Sequence, residues 1–144
     1  MKNLLLLLVI ISILSCQKKV KPTHVIFTGS IENNNANSAK ISGNGFEKVI
    51  EITENGNFSD TLKIDKEGYY SLLIGRESTP VYLIQGANVG LTLNTKEFDE
   101  SLVYTGDIAA ENNYLAAKYL LSEKEMAFDK VYSLPEDKFI IELN

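Results

Sequence analysis

The chain has 144 residues, and its hydrophobic fraction of 44% and charged fraction of 23% are typical of one globular domain, which argues against wholesale disorder. Its formal net charge of −5 argues against a nucleic acid or an anionic membrane surface as a partner. A single cysteine excludes an internal disulfide framework.

Residues 1–15 have the pattern of a lipoprotein signal peptide. Lys2 precedes an apolar run from Leu4 to Leu14, which is shorter than the roughly 20 apolar residues of a spanning helix. The following junction, Ile13-Leu14-Ser15-Cys16, resembles the lipobox of bacterial lipoproteins. This resemblance implies cleavage after Ser15, a diacylglycerol thioether on Cys16 and acylation of the new amino terminus. An ordinary secretory leader and an uncleaved anchor are the alternatives.

Residues 16–22 are predicted to be the lipidated cysteine and a short basic tether, whose lysines suit lipid headgroups. Without residues 1–15, which hold one basic residue, 13 basic and 19 acidic residues give a net charge of −6. We expect a protein of the cell envelope that is attached to a membrane through its lipid. It is expected to face the periplasm, because Cys16 is not followed by the acidic run that resembles a surface-export signal in some bacterial lipoproteins.

Residues 23–106 are predicted to form an antiparallel β-sandwich of seven or eight short strands, because alternating segments are broken by turn residues every eight to twelve positions. Asn44-Gly45 and Asn55-Gly56 predict two hairpins in series, since type I′ turns need positive φ at both central residues. The predicted strands cover residues 24–31, 39–42, 46–53, 58–64, 68–74, 80–84, 89–94 and 101–105.

The register of these strands is open. Val49 is expected to point into the core, whereas Ile50 and Ile52 on the opposite parity suggest that both faces of that strand are covered. The other expected inward residues are Phe58, Leu62 and Ile64.

Residues 107–144 are predicted to be a helical linker, because the apolar period changes from that of a strand to that of a helix. Asp107 is the expected N-cap of a long helix. Its core-facing stripe is expected to contain Tyr114, Ala117, Leu121 and Phe128. Ser133-Leu134-Pro135-Glu136 has capping-box spacing and predicts a second, short helix. The predicted fold class is therefore mainly β, with a signal-peptide helix before the sandwich and one long and one short helix after it.

The sequence contains no recognisable catalytic set. The lone histidine, His24, cannot form a zinc site by itself, and lipidation of Cys16 would leave no free thiol. We therefore expect no enzymatic activity, no metal and no cofactor. The strand residues Tyr82 and Tyr104 are the candidates for an alternative function, the binding of glycan or peptide.

Four segments resemble the β-rich amino-terminal domain of TlpA/ResA-type thioredoxin-like lipoproteins of Bacteroidetes. They are FTGSI, GYYSLLI, VYLIQGANVGLTLN and SLVYTGDIAAENNYLAAKYL, within residues 24–144. In that family the NNYL segment, here Asn112 to Leu115, opens the linking helices. The disulfide reductase activity belongs to a downstream domain with a Cys-x-x-Cys pair, which these 144 residues do not contain.

Three functions follow as expectations. The first is a lipid-anchored accessory domain, with a truncated linker, that positions or contacts a thioredoxin-like domain or another envelope protein. The second is a free-standing periplasmic or surface lipoprotein that binds glycan or peptide. The third is a hydrolase that uses paired carboxylates, for which Asp60 and Asp107 are among the candidates.

Overall fold

The computed structural model of the chain describes residues 23–126, 133–135 and 138, and the side chains among them except those of residues 123–126. The described part is mainly β, as predicted. The signal peptide, the tether, Phe128 and most of the predicted second helix lie outside the described residues. The elements are β1 (Val25–Glu32), β2 (Ser38–Gly43), β3 (Phe46–Glu51), β4 (Asn57–Leu62), β5 (Gly68–Ile74), β6 (Glu77–Leu83), β7 (Asn88–Asn94), α1 (Phe98–Ser101), β8 (Val103–Gly106) and α2 (Ala109–Met126).

The strands form two four-stranded sheets that pack face to face. The first sheet has the order β4-β1-β7-β8, and the second has the order β3-β2-β5-β6. All pairings are antiparallel except that of β1 with β7. This exception has a local cause: the turn after β6 brings the chain beside the start of β1, where the Gly86 N–H donates to the His24 carbonyl at 3.1 Å. Both strands therefore leave from the same end of the sheet.

Only the first of the two predicted hairpins forms. Asn44 and Gly45 have φ values of 52° and 81° and connect β2 to its antiparallel partner β3. The second prediction is wrong, because β4 pairs with β1 and not with β3. Asn55 does not have the positive φ that a type I′ turn needs. The Ile31 N–H donates to the Gly56 carbonyl at 2.9 Å, which holds this turn against β1 and passes the chain to the other sheet.

The expected inward position of Val49 is also wrong. Val49 is 58% exposed, whereas Ile50 and Ile52 are buried. The β2–β3 register pairs Ala39 with Ile50 and thereby turns the even-numbered residues of β3 inward. The other expected inward residues are correct: Phe58, Leu62 and Ile64 are all buried.

An ion pair connects the edge strands β3 and β4 of the two sheets. Lys48 Nζ lies 2.6 Å from Asp60 Oδ1 and donates to the Thr61 carbonyl at 2.9 Å. Burial opposes ionisation of Asp60, but hydrogen bonds from Lys48 and from the Thr61 N–H, together with the Lys48 charge, lower the pKa of this carboxyl. The pair therefore stabilises the fold above the unfolded pKa of Asp60, and this stabilisation is lost as the pH falls through the folded pKa.

Helix α2 buries a different stripe from the predicted one. Tyr114 is 67% exposed and Leu121 is 58% exposed, and Ala117 is exposed as well. Within residues 109–122 of the helix, the buried positions are Asn112 and Ala116. The helix turns this face inward because Asn112 binds the edge of a sheet, as described below.

The start of α2 also differs from the prediction. The helix begins at Ala109, two residues after the expected N-cap, Asp107. The Asp107 carboxylate instead accepts hydrogen bonds from the backbone N–H of Asn88 at 2.7 Å and from its side-chain amide at 3.0 Å. Neither helix of the described ranges is long and apolar enough to span a bilayer.

Two glycines with similar backbone angles provide a stability test of the turns. Gly45 and Gly56 have φ values of 81° and 77°, but a Cβ at Gly45 would meet open space, whereas one at Gly56 would overlap the Ile31 carbonyl oxygen. We expect Gly45→Ala to lower the free energy of unfolding by about 1 kcal/mol, the cost of the left-handed conformation. Gly56→Ala should cost about 3 kcal/mol, because overpacking adds to that strain. Urea unfolding of both variants measures the difference, and equal losses would contradict it.

Candidate functional site

The two sheets have open edges on the same side of the sandwich, and helix α2 covers both. Strand β6 is the last strand of the second sheet, and β8 is the last strand of the first. Helix α2 contacts both of these strands. An edge strand exposes unpaired backbone N–H and carbonyl groups, so the helix must supply partners for them or leave them to water.

Asn112 supplies partners at the edge of β6. Its side-chain Oδ1 accepts the Tyr82 N–H at 2.7 Å, and its Nδ2 donates to the Tyr82 carbonyl at 3.0 Å. The same Nδ2 also lies 3.3 Å from the Ile108 carbonyl of the preceding turn. Asn112 is fully buried, and these bonds satisfy both ends of its amide.

Asn113 does the same at the edge of β8. Its Oδ1 accepts the Tyr104 N–H at 2.7 Å, and its Nδ2 donates to the Tyr104 carbonyl at 2.8 Å. Consecutive helix residues point about 100° apart, which allows the two neighbouring side chains to reach strands of different sheets. We call Asn112 and Asn113 the amide clamp, because together they fix the start of α2 to both sheets.

A groove lies between the first turns of α2 and the outer face of β5 and β6. Its volume is about 610 Å³. The rings of Tyr69 and Tyr82 contact each other in it, with centroids 5.4 Å apart and planes tilted by 54°. We call this feature the tyrosine groove; its lining residues are Tyr69, Tyr82, Ala110, Glu111, Tyr114 and Leu115.

The structure separates the two tyrosines that were predicted to bind a ligand. Tyr82 is half-buried and lines the tyrosine groove. Tyr104 is only 1% exposed, so a ligand at the surface does not reach its ring. Burial raises the pKa of the Tyr104 hydroxyl, and the neighbouring Thr79 side chain opposes this shift. Within the described residues, no group meets the ordinary geometric criteria for a hydrogen bond with the Tyr104 hydroxyl. Tyr69 and Tyr114, rather than Tyr104, accompany Tyr82 at the surface.

The other described candidates, His24, Asp60 and Asp107, do not line the tyrosine groove. Ser15 and Cys16 lie outside the described residues. His24 is half-buried at the start of β1. Asp60 and Asp107 are engaged by Lys48 and Asn88, respectively. No group of three or more His, Cys, Asp and Glu side chains in the described ranges could hold a metal ion.

Asn112 and Asn113 belong to the NNYL segment, but the sequence did not predict that their side chains bind the edges of the two sheets. One local signal pointed to it: two adjacent asparagines in the first turns of a helix are unfavourable there, because their side chains compete for backbone groups. The sequence did not indicate that Tyr69 lies next to Glu111 and Tyr114, since β5 and α2 are far apart along the chain.

Comparisons with known proteins place the chain in no family. No protein-family model matches it, and no curated protein is similar enough to count as a match. Partly similar solved structures include a DUF3823 family protein from Parabacteroides merdae, with 16% identity, a TM-score of 0.34, and coverage of 51% of this chain and 45% of that one. Another is a proposed cell adhesion protein from Bacteroides ovatus, with 11% identity, a TM-score of 0.38, and coverage of 60% and 44%.

The chain spans less than half the length of either structure. Similarity at this level says nothing about function. These comparisons do not show the expected relationship to thioredoxin-like lipoproteins.

The amide clamp makes a residue-specific prediction. Asn112→Ala should lower the free energy of unfolding by about 2–4 kcal/mol, because it removes two bonds from a buried strand edge. It should also speed hydrogen exchange at the Tyr82 amide, whereas Asn113→Ala should speed exchange at the Tyr104 amide. Lys118→Ala, on the exposed side of α2, is the control and should change neither amide. Unchanged exchange at Tyr82 in Asn112→Ala would contradict the clamp.

Proposed function

We propose that the chain is the lipid-anchored, non-catalytic part of a cell-envelope lipoprotein that holds another domain or protein in a fixed orientation near a membrane. The observation that carries this proposal is the amide clamp. It ties the start of one helix to the edges of both sheets through four hydrogen bonds of 2.7–3.0 Å.

A helix held in this way transmits orientation. A flexible linker rich in glycine and serine would let the two parts that it joins rotate freely. Helix α2 is instead fixed at its first turns by the clamp, and its full length of 18 residues corresponds to about 27 Å. A domain joined to the end of α2 would therefore start from a position and direction set by the sandwich.

The leader supports the membrane half of the proposal. A lipidated Cys16 would be followed by residues 17–24, which span at most about 29 Å when extended. The sandwich would then stay within about one bilayer thickness of the membrane surface. Several acyl chains on Cys16 would give stable attachment, whereas a single chain would not.

The partner domain is proposed from the sequence resemblance. The segments that resemble TlpA/ResA-type lipoproteins support a thioredoxin-like domain as the part that the helix positions. Another envelope protein would fit the same arrangement, because the clamp fixes an orientation and does not depend on what is carried.

A second candidate function is ligand binding at the tyrosine groove. It is favoured by one specific observation, the exposure of Tyr69 and Tyr114 beside Tyr82 at the rim of a concave surface. Exposed aromatic rings in a groove are typical of sites for glycans or peptides.

The anchor can be tested by mass spectrometry of the mature amino terminus. We expect the wild-type protein to begin at Cys16, to carry diacylglycerol and an amino-terminal acyl chain, and to sediment with membranes. Cys16→Ala should lose the modification and the membrane association. Ser12→Ala, inside the apolar run but outside the four lipobox residues, is the control and should be processed normally. An unmodified Cys16 in the wild-type protein would refute the anchor.

The positioning role can be tested by measuring a distance distribution between two spin labels. Ser59→Cys on β4 and Lys118→Cys on α2 are exposed positions for the labels, and a form beginning at Gln17 has no other thiol. We expect one narrow distribution, which broadens when Asn112→Ala and Asn113→Ala are combined. Glu97→Ala, away from the clamp, should leave it narrow. A broad distribution in the unmutated clamp would contradict the proposal.

A further inference from the structure

Two of the three tyrosine rings in the tyrosine groove are largely exposed to solvent. Tyr69 is 66% exposed and Tyr114 is 67% exposed, although both lie beside the half-buried ring of Tyr82. The faces of aromatic rings carry partial negative charge, and their edges carry partial positive charge. Three tyrosines around one concavity therefore create an environment that attracts cations.

The ionisable side chains of the groove also favour a bound cation. Among the described residues that line it, Glu111 is the one carboxylic acid, and no lysine or arginine is present. Glu111 is exposed and is free to approach a bound group. The mature chain as a whole is also acidic, with 19 acidic and 13 basic residues. Rings and carboxylate together complement a positive charge.

We propose that the tyrosine groove binds the guanidinium group of an arginine in a basic peptide segment of an extracytoplasmic partner. This inference rests on the second candidate function, ligand binding at the groove, and is independent of the lipid anchor. Arginine fits better than lysine, because its planar guanidinium stacks on aromatic rings and can form two parallel bonds with one carboxylate.

Two charges near the groove oppose a bound cation. The start of α2 carries about half a positive charge from the helix dipole, but the full negative charge of Glu111 exceeds it. Lys118 lies one helical turn beyond Tyr114 and does not line the groove. The positive charge of Lys118 should weaken binding slightly, so its replacement by alanine should strengthen binding.

The surface next to the groove suits the rest of a peptide. A second concavity of about 400 Å³ shares Tyr69 with the tyrosine groove. Its lining is uncharged, and the exposed hydroxyl groups of Ser71 and Ser78 can bind peptide amides and carbonyls.

The test titrates the purified mature protein with three probes and follows amide chemical shifts. The probes are a blocked Ala-Arg-Ala tripeptide, the same tripeptide with citrulline in place of arginine, and chitotriose. Citrulline keeps the shape of arginine but has no charge. We expect the arginine peptide to bind with a Kd on the order of 1 mM and the citrulline peptide to bind about tenfold more weakly. Binding should weaken as salt is added.

Variants assign the binding to the groove. Glu111→Gln and Tyr114→Ala should each weaken the arginine peptide by about threefold to tenfold. Tyr69→Phe should keep its affinity, because the ring and not the hydroxyl attracts the cation. Lys118→Ala should bind slightly more tightly. Glu97→Gln makes the same change of net charge as Glu111→Gln but lies outside the groove, and it should have no effect.

Each contrary result has a distinct meaning. Equal affinity for the arginine and citrulline peptides would overturn the cation proposal. Binding of chitotriose without the arginine peptide would also overturn it while supporting the second candidate function. If none of the three probes binds, both the cation proposal and ligand binding at the groove are contradicted, and the lipid anchor is unaffected.

Discussion

The position of helix α2 depends on how the unpaired backbone groups at the sheet edges β6 and β8 find hydrogen-bond partners. A helix has no free backbone groups along its side with which to continue a sheet, so it cannot act as the next strand. The side-chain amide of asparagine has the same donor and acceptor as a peptide group. Asn112 and Asn113 therefore replace the missing strands at Tyr82 and Tyr104, one residue on each edge. This arrangement sets both the rotation and the direction of α2.

The tyrosine groove is a consequence of this constraint. The clamp holds the first turns of α2 beside β6, which brings Glu111 and Tyr114 next to the outward rings of Tyr69 and Tyr82. Tyr82 belongs to both features, since its backbone is held by Asn112 and its ring contacts Tyr69. A ligand that ordered the Tyr82 ring would therefore act on a residue that also fixes the helix.

The two proposed roles use different groups of the molecule, although both involve Tyr82. Positioning depends on buried hydrogen bonds between α2 and the sheet edges, and ligand binding depends on exposed rings and the charge of Glu111. The opposite ends of the described chain fit the same division. In the proposed arrangement the tether would lead into β1, whereas α2 lies along the edge formed by β6 and β8. An anchored sandwich can thus present a partner and still expose the groove.

The sequence by itself determined the number and order of the strands, the long helix and the Asn44-Gly45 hairpin, because alternation, helical period and turn residues are local properties. It did not determine helix α1, which occupies the start of the predicted strand 101–105. It did not determine that Asn55-Gly56 crosses between sheets, since a turn signal says nothing about which strand is paired next. It also favoured the wrong stripe of α2, with Tyr114 and Leu121 inward. Only the tertiary structure decided that a polar residue, Asn112, is buried there, because the reason is an unpaired strand edge formed by residues far away in the chain.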